Sequence, residues 1–453
     1  MGFVIPQKIK NLTDKFDQAG AEIYVVGGAV RDMLIGREIW DWDLATNLTP
    51  EEMKKLFPKN SFCNNVFGTF SVLGKDGEIF EITTYRTERD YSDARHPDKV
   101  EWGKTIEEDL KRRDFTVNAM ALQANPSKSP LDRGDLKIID LYGGQEDIKN
   151  KLIRAVGDPD ERFSEDALRM MRAVRIAVYI GFAIEEKTLK SIQKNAVKIK
   201  LIAGERIRDE LFKILESPTP AMGVKMLLES GLLAEIIPEL TEGIEVKQKG
   251  HHIDDVWNHN LKTLEHCVST NPVTRLACLL HDVAKPAVMK GEGEARTFHG
   301  HEVVGARTAV QIAKRLKLSN KELDLLFRLV RWHMFTVSEV QTDAAVRRFI
   351  RNVTPEYIEE MIALRRGDRL GSGAKETSWR WEAFRERIGE VQKQPFSVKD
   401  MKIDGHDVME VLGIKPGPKV GEILNKIFAE VEVRPELNER EVLLEKIKEN
   451  NDN

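Results

Sequence analysis

The sequence predicts an α/β region with a small mixed sheet over residues 1–144, followed by a mostly all-α remainder. Three observations carry that division. The first 144 residues mix strand and helix signals. From about residue 145 the strand signals fade and helical patterns dominate to the C-terminus. With 453 residues the chain exceeds what one core can serve, so two to four domains are expected.

The elements follow in order. "AEIYVV" (21–26) reads as a short strand ending at Gly27-Gly28, and "AVRDMLIG" (29–36) as a helix stopped by Gly36. "DWDLAT" (41–46) reads as a second strand. "TPEEMKKLF" (49–57) has a Thr N-cap, Pro at the first helical position and two acids in the first turn. Residues 68–86 read as a hairpin turning at Asp76-Gly77. Residues 86–110 are too long and polar for a simple connection. "SEDALRMMRAVRIAVYIG" (164–181) predicts one helix with Ser164 as N-cap and Gly181 as stop, and residues 204–217 predict another. Pro-containing joints near 218–220, 271–272, 395 and 416–418 suggest boundaries.

Composition narrows the classes. Hydrophobic residues make up 41% and charged residues 32% of the chain, an ordinary soluble balance. No run of eighteen apolar residues exists, so no membrane-spanning helix is expected, and "MGFVIPQKIKNL" lacks a signal-peptide core. Cys63, Cys267 and Cys278 share no C-x-x-C spacing and read as reduced thiols of a cytoplasmic protein. The net charge of −4 argues neither for nor against nucleic acid.

Asp41 and Asp43 are two residues apart on a predicted strand, so they face one way and Trp42 the other. Like charges that close raise each other's pKa. A solvated turn relieves the repulsion, and so does a shared divalent metal. Gly28 and its neighbour let backbone N–H groups approach a phosphate at a helix N-terminus, with Arg31 one turn on. A Gly-Gly before a helix is also common without a ligand. Glu81 lies between Phe80 and Ile82 and faces away from them, toward solvent or toward the two aspartates. "KRRDFTVNAMA" makes either a charged helix end or a site where Arg113 clamps phosphate oxygens and Asp114 orients local structure. Asp166, Arg169, Arg172 and Arg175 form a helical stripe, which alone reads as an exposed basic edge.

"GGAVRD", "DWDLAT", "RRDFTVNAMA" and "RFSEDALRMMRAVRIA", in that order, resemble the bacterial-type (class II) CCA-adding enzymes, tRNA nucleotidyltransferases of the polymerase-β superfamily. The match runs through about residues 20–216 and continues more weakly to the tail. The resemblance implies a polymerase-β-like nucleotidyltransferase head (1–144), a helical neck (145–216), a helical body (217–394) and a helical tail (395–453). It implies tRNA, CTP and ATP as partners, with no DNA and no membrane. Two Mg²⁺ ions would be held by Asp41 and Asp43, with Glu81 as a third acid. Gly28, Arg31, Arg113, Arg172 and Arg175 would bind nucleotide. Asp166 and Arg169 would read the base. Cytosine and adenine both offer an amino donor beside a ring-nitrogen acceptor, which a carboxylate and a guanidinium complement, while uracil and guanine reverse the pattern. Residues 86–110 resemble the loop with which relatives switch from C to A, which argues for terminal A addition. Full CCA addition, A-only addition and poly(A) polymerase activity stay open. A basic surplus of fourteen Lys and Arg against ten Asp and Glu over residues 151–213 is a weak RNA footprint. "GIKPGPKVG" in the tail is either a phosphate-binding or a structural turn.

His259 and the adjacent His281-Asp282 fall on two apolar helices, and His301, His333 and Asp368 follow. Single buried histidines are usually core residues. An adjacent His-Asp with further histidines on flanking helices fits a metal site better. The order resembles an HD domain, a helical metal-dependent phosphohydrolase fold, and implies a second divalent metal. His251 and His252, in a polar stretch, are weaker ligand candidates. Two further hypotheses compete with nucleotide transfer: a phosphohydrolase whose head only positions RNA, and an RNA-binding protein with both sites lost.

Overall fold

The computed structural model describes residues 5–39, 41–63, 69–74, 77–89, 99–123, 137–248, 254–335, 343–375, 379–391 and 398–450. The expected turn at Asp76, the middle of the 86–110 segment, His251, His252 and the joint at 395 lie outside them. The chain divides into two compact units. One is Met1–Thr241 with Arg315–Lys317, and the other comprises Glu242–Lys314 and Leu318–Asn453.

The first unit begins with α1 (Gln7–Gln18), β1 (Ile23–Val26), α2 (Gly28–Leu34), β2 (Leu44–Thr46), α3 (Pro50–Leu56), β3 (Ser61–Cys63), β4 (Thr69–Leu73) and β5 (Ile79–Thr84). β6 (Arg86–Arg89), β7 (Lys99–Trp102), α4 (Ile106–Lys111), β8 (Met120–Gln123) and β9 (Ile138–Asp140) follow. The main sheet has the order β3-β4-β5-β2-β1-β8-β9. It is mixed, as expected: β2 and β5 are parallel with Leu44 opposite Ile82, and the other neighbours are antiparallel. Period-two alternation gives the sheet two apolar faces. Val25, Trp42, Leu44 and Ile82 pack under α1, whose Ile9, Leu12 and Phe16 are buried with them. Val26, Ala45 and Ala121 face Ile106 and Leu110 of α4.

Local chemistry explains the boundaries. Thr49 and Glu52 form a reciprocal capping box at the start of α3, with Pro50 behind the cap. β2 is shorter than the sequence suggests. Its ladder begins at Leu44, and Asp41–Asp43 precede it, although the Asp43 carbonyl still accepts a hydrogen bond from the Val26 N–H at 3.0 Å. The 86–110 segment is not all loop. Its ends pair as the β6–β7 ribbon and continue into α4, capped by Thr105.

The helical part of this unit contains α5 (Gly144–Asn150), the short parallel pair β10 (Leu152–Ile153) and β11 (Ala183–Ile184), α6 (Pro159–Glu165), α7 (Arg169–Ile180), α8 (Glu186–Asn195) and α9 (Gly204–Glu216). α10 (Pro220–Glu229), α11 (Leu232–Ile236) and α12 (Pro238–Thr241) close it. The single helix expected over 164–181 is two. Asp158 caps α6 with Pro159 at its first position, and the chain breaks at Asp166, which is extended (φ −145°, ψ 106°). The Asp166 carboxylate accepts the Leu168 N–H at 3.0 Å, the local side-chain bond by which Asp competes with helix continuation. α7 then stops at Gly181 in the left-handed region, as expected.

The second unit holds α13 (Val256–Glu265), α14 (Pro272–Leu280), α15 (Lys285–Val288), α16 (His301–Arg315), α17 (Asn320–Trp332), α18 (Asp343–Val353), α19 (Ile358–Gly371) and α20 (Trp379–Val391). Pro220, Pro272 and Pro418 each sit in the first turn of a helix. The last helices are α21 (Gly405–Leu412), α22 (Pro418–Val433) and α23 (Arg440–Glu449), which share a core of Val408, Ile423, Ile427, Val431, Leu443 and Ile447. Gly413 ends α21 in the left-handed conformation, which gives that glycine a structural reason.

Candidate functional site

A cavity of about 570 Å³ in the first unit is lined by Gly28, Arg31, Asp41 and Asp43 on the sheet side, and by Arg172, Arg175 and Tyr179 of α7. Alternation aims the acids. Trp42 is buried in the main core, so Asp41 and Asp43 project from the opposite face. The parallel β2–β5 register, continued one residue back, sets Glu81 beside Asp43. Burial first, then Asp41, raises the Asp43 pKa to about 6. Glu81 adds to the rise, and Arg113 and Arg31 oppose it. The acids therefore sit as an electrostatically unfavourable group of hard oxygen donors, which suits a divalent cation.

Gly27 makes the close approach possible. It has φ +69°, and a Cβ there would come within 2.8 Å of Arg113 Nη1 and 3.4 Å of Asp43 Oδ2. The steric demand falls on Gly27 more than on Gly28, whose added Cβ would meet only Arg31 at 3.4 Å or more. Arg31 donates to Asp32 and, at 2.8 Å, to Asn118 Oδ1. Arg113 donates twice to Asp109 Oδ2 at 2.9 and 3.1 Å, and the other oxygen of Asp109 takes Arg112. Asp114 is buried and receives Arg172 at 2.6 and 2.8 Å. Burial would raise its pKa, but Arg172 overrides that and holds it at about 2.

Asp166 and Arg169, expected to read the base, are placed differently from the expectation. Asp166 is at the α6–α7 corner, so it and Arg169 do not share one helix face. Asp166 accepts Arg206 at 2.9 Å, and Arg169 pairs with Glu165 at 2.5 Å. Arg172 and Arg175 line the cavity with the carboxylates, whereas Asp166 and Arg169 are not among its walls. Arg175 pairs with Glu210 at 2.7 Å.

The second cluster is in the other unit. His259 on α13, His281 and Asp282 after α14, His301 on α16, His333 after α17 and Asp368 on α19 are all buried. Two triads bring their donor atoms within 4.8 Å: His259, His281 and Asp282, and Asp282, His301 and His333. Asp282 belongs to both. Its Oδ2 is 3.3 Å from His281 Nε2 and 3.5 Å from His259 Nε2, and its Oδ1 is 3.2 Å from His301 Nε2 and 3.7 Å from His333 Nε2. Asp368 Oδ1 approaches His259 Nε2 at 3.2 Å, while Arg365 holds its other oxygen at 2.6 Å. α19 can come so near α13 because residues 367 and 371 are glycines; a Cβ on Gly367 would fall on the Thr263 carbonyl.

Ring orientation in this cluster suits metal binding. His281, His301 and His333 each direct Nδ1 to the carbonyl three residues back, those of Cys278, Phe298 and Val330, at 2.8 Å. With Nδ1 as donor, Nε2 presents its lone pair inward, the arrangement that orients metal-ligating imidazoles. Burial, followed by the neighbouring His281, pushes His333 down to about 3, so it is neutral at pH 7. Burial opposes the His281 imidazolium, but Asp282 and Asp368 outweigh it and raise that pKa. Burial would likewise raise Asp282, yet His281 and Lys285 keep it well below the usual carboxylate range. The donor set therefore fits one or two divalent ions.

Residues 23–154 match the poly A polymerase head domain, 181–244 the probable RNA and SrmB-binding site of polymerase A, and 256–369 the HD domain. A CCA-adding enzyme of Ligilactobacillus salivarius is 35% identical over 98% of this chain and 97% of its own length. The chain belongs to the CCA-adding tRNA nucleotidyltransferase family. An A-adding tRNA nucleotidyltransferase of Deinococcus radiodurans, also similar, is 33% identical over 89% of this chain and 90% of its own. The solved Bacillus stearothermophilus CCA-adding enzyme in complex with CTP superposes with a TM-score of 0.69 at 28% identity, covering 99% and 98% of the two chains.

In this nucleotidyltransferase the head match contains Asp41, Asp43, Glu81 and Arg113, and the HD match contains all six residues of the second cluster. α7 lies between the first two matches. Sequence reasoning missed Asp109, Asn118 and Tyr179. Asp109 was readable, since Arg112 and Arg113 follow at three and four residues, the spacing of helical ion pairs. Asn118 and Tyr179 carry no local signal. Among the described residues no helix is long and apolar enough to cross a membrane.

Proposed function

We propose that this chain adds CCA, or its terminal A, to the 3′ end of tRNA from CTP and ATP with release of pyrophosphate. The observation that supports this most is the cavity where Asp41 and Asp43 face the arginines of α7. Asp41 and Asp43, with Glu81 beside them, are the residues that would hold divalent cations, and the oxygen-only donor set favours Mg²⁺. Bound there, the metal would supply Lewis-acid stabilisation of phosphoryl charge.

The chain's own residues bind and orient. Arg113 beside Gly27 and Arg31 beside Gly28 supply guanidinium donors for triphosphate oxygens. The salt bridge to Asp109 fixes the Arg113 side chain. Arg172 and Arg175 extend the positive wall along α7. Asp166 and Arg169 read the base by accepting its amino proton and donating to its ring nitrogen. They would exchange their present partners, Arg206 and Glu165, for the nucleotide. The two oxygens of Asp282, each facing a different pair of histidines, support a second reading, metal-dependent phosphoester hydrolysis at the HD cluster.

The deciding experiment uses tRNA lacking CCA and tRNA ending in CC, each incubated with one labelled nucleoside triphosphate and Mg²⁺. Transfer to both acceptors, with C on the first and A on the second, supports full CCA addition. Transfer of A alone, and only to the CC end, assigns an A-adding enzyme. No incorporation of either nucleotide rejects the proposal.

A further inference from the structure

The α7 wall has a feature to which the proposed nucleotide binding assigns no role. Tyr179 is 46% exposed, and it lines the cavity with Asp41 and Asp43. The ring is held in place: the Arg37 guanidinium lies 4.3 Å from its centroid, and Arg37 Nη1 donates to the Tyr179 carbonyl at 2.5 Å. Arg37 is four residues before Asp41, so the ring is anchored by the segment that carries the acids.

Position decides which substrate meets the ring. Arg169 opens α7 and Tyr179 is ten residues further on, a separation of about 15 Å at 1.5 Å per residue. A nucleotide whose base is read at Asp166 and Arg169, outside the cavity walls, leaves Tyr179, which lines the cavity, to the other reactant, the RNA acceptor. Single-stranded RNA ends are commonly held by stacking unpaired bases on aromatic rings. A cation behind a ring is a fixed support that needs no reorganisation when a base arrives.

We propose that Tyr179 is the stacking platform for the terminal base of the RNA acceptor, positioning its 3′-hydroxyl toward Asp41 and Asp43. This rests on reading the cavity as the transfer site and the start of α7 as the base reader. The ring contact is sequence-tolerant, as an acceptor end that changes at each addition requires.

The test compares Tyr179→Ala and Tyr179→Phe in the full chain with tRNA lacking CCA. Tyr179→Ala should raise the KM for tRNA about tenfold or more, the usual loss for one stacked base. The KM for CTP and the preference for C and A should stay unchanged, and Tyr179→Phe should stay within about twofold of the parent. Affinity is also measured by fluorescence anisotropy with an acceptor whose terminal nucleotide is abasic, which the parent should bind as weakly as Tyr179→Ala binds the intact acceptor. Unchanged tRNA affinity in Tyr179→Ala overturns the proposal. So does a raised KM for CTP alone, or a full loss that persists with the abasic acceptor. Because anisotropy needs no turnover, an absence of nucleotide addition would sink the transfer-site reading separately.

Discussion

The two candidate metal sites of this chain are built on opposite principles. The head site offers a few carboxylate oxygens at the edge of a cavity, with Asp41 exposed and Asp43 under repulsion from it. The HD cluster buries four histidines and two aspartates and fixes three of the rings through hydrogen bonds to backbone carbonyls. Hard, sparse, solvent-facing oxygens suit a magnesium ion that retains water and is held jointly with substrate phosphates. A pre-oriented nitrogen-rich cage suits a transition ion that stays. On that contrast the first site would be completed by its substrate, and the second would be complete without one.

The sharpest way to break this contrast is to remove one acid from each site. Asp41→Ala should lower nucleotide addition by about 10³-fold or more, since several kcal/mol of charge stabilisation are lost. Metal bound in the HD cluster, read by atomic emission after desalting, should be unchanged. Asp282→Ala should do the reverse: retained metal disappears while tRNA extension stays within about twofold. It should also destabilise the second unit by about 3–5 kcal/mol, because Lys285, 2.6 Å from Asp282, is left buried without its counter-charge. Loss of addition in Asp282→Ala would show the two sites are not independent.

The smallest effect has a distinctive sign. The folded-state pKa of Asp43 is about 6, above its ordinary value near 3.8. The native state thus binds this proton more tightly than the unfolded chain, and stability falls as pH rises from about 4 to 6. Asp43→Asn should therefore abolish addition yet stabilise the metal-free protein by about 1–2 kcal/mol at pH 8, after discounting for solvent screening. The gain should vanish toward pH 4. Thermal melts at the two pH values measure it, and a variant less stable than the parent at pH 8 would contradict the repulsion argument.

How much of this was legible depended on the range of the interactions. The capping box of α3, the apolar periodicity of α9 and the mixed sheet follow from local chemistry and alternation, which a sequence carries openly. The candidate HD ligands were readable because their order along the chain is itself the signal. The break at Asp166 was not, because periodicity runs through it and a single side-chain hydrogen bond decides it. Nor was the division of labour between the two oxygens of Asp282, which exists only once four helices converge. Gly27 and Gly28 look alike in sequence, and only the approach of Arg113 separates them.

The histidine tethers have one more consequence. His281 and His333 immediately follow α14 and α17, and their rings satisfy carbonyls of the last turn. Each is a helix cap as well as a candidate ligand, so both side chains steady their helix ends whether or not a metal is bound.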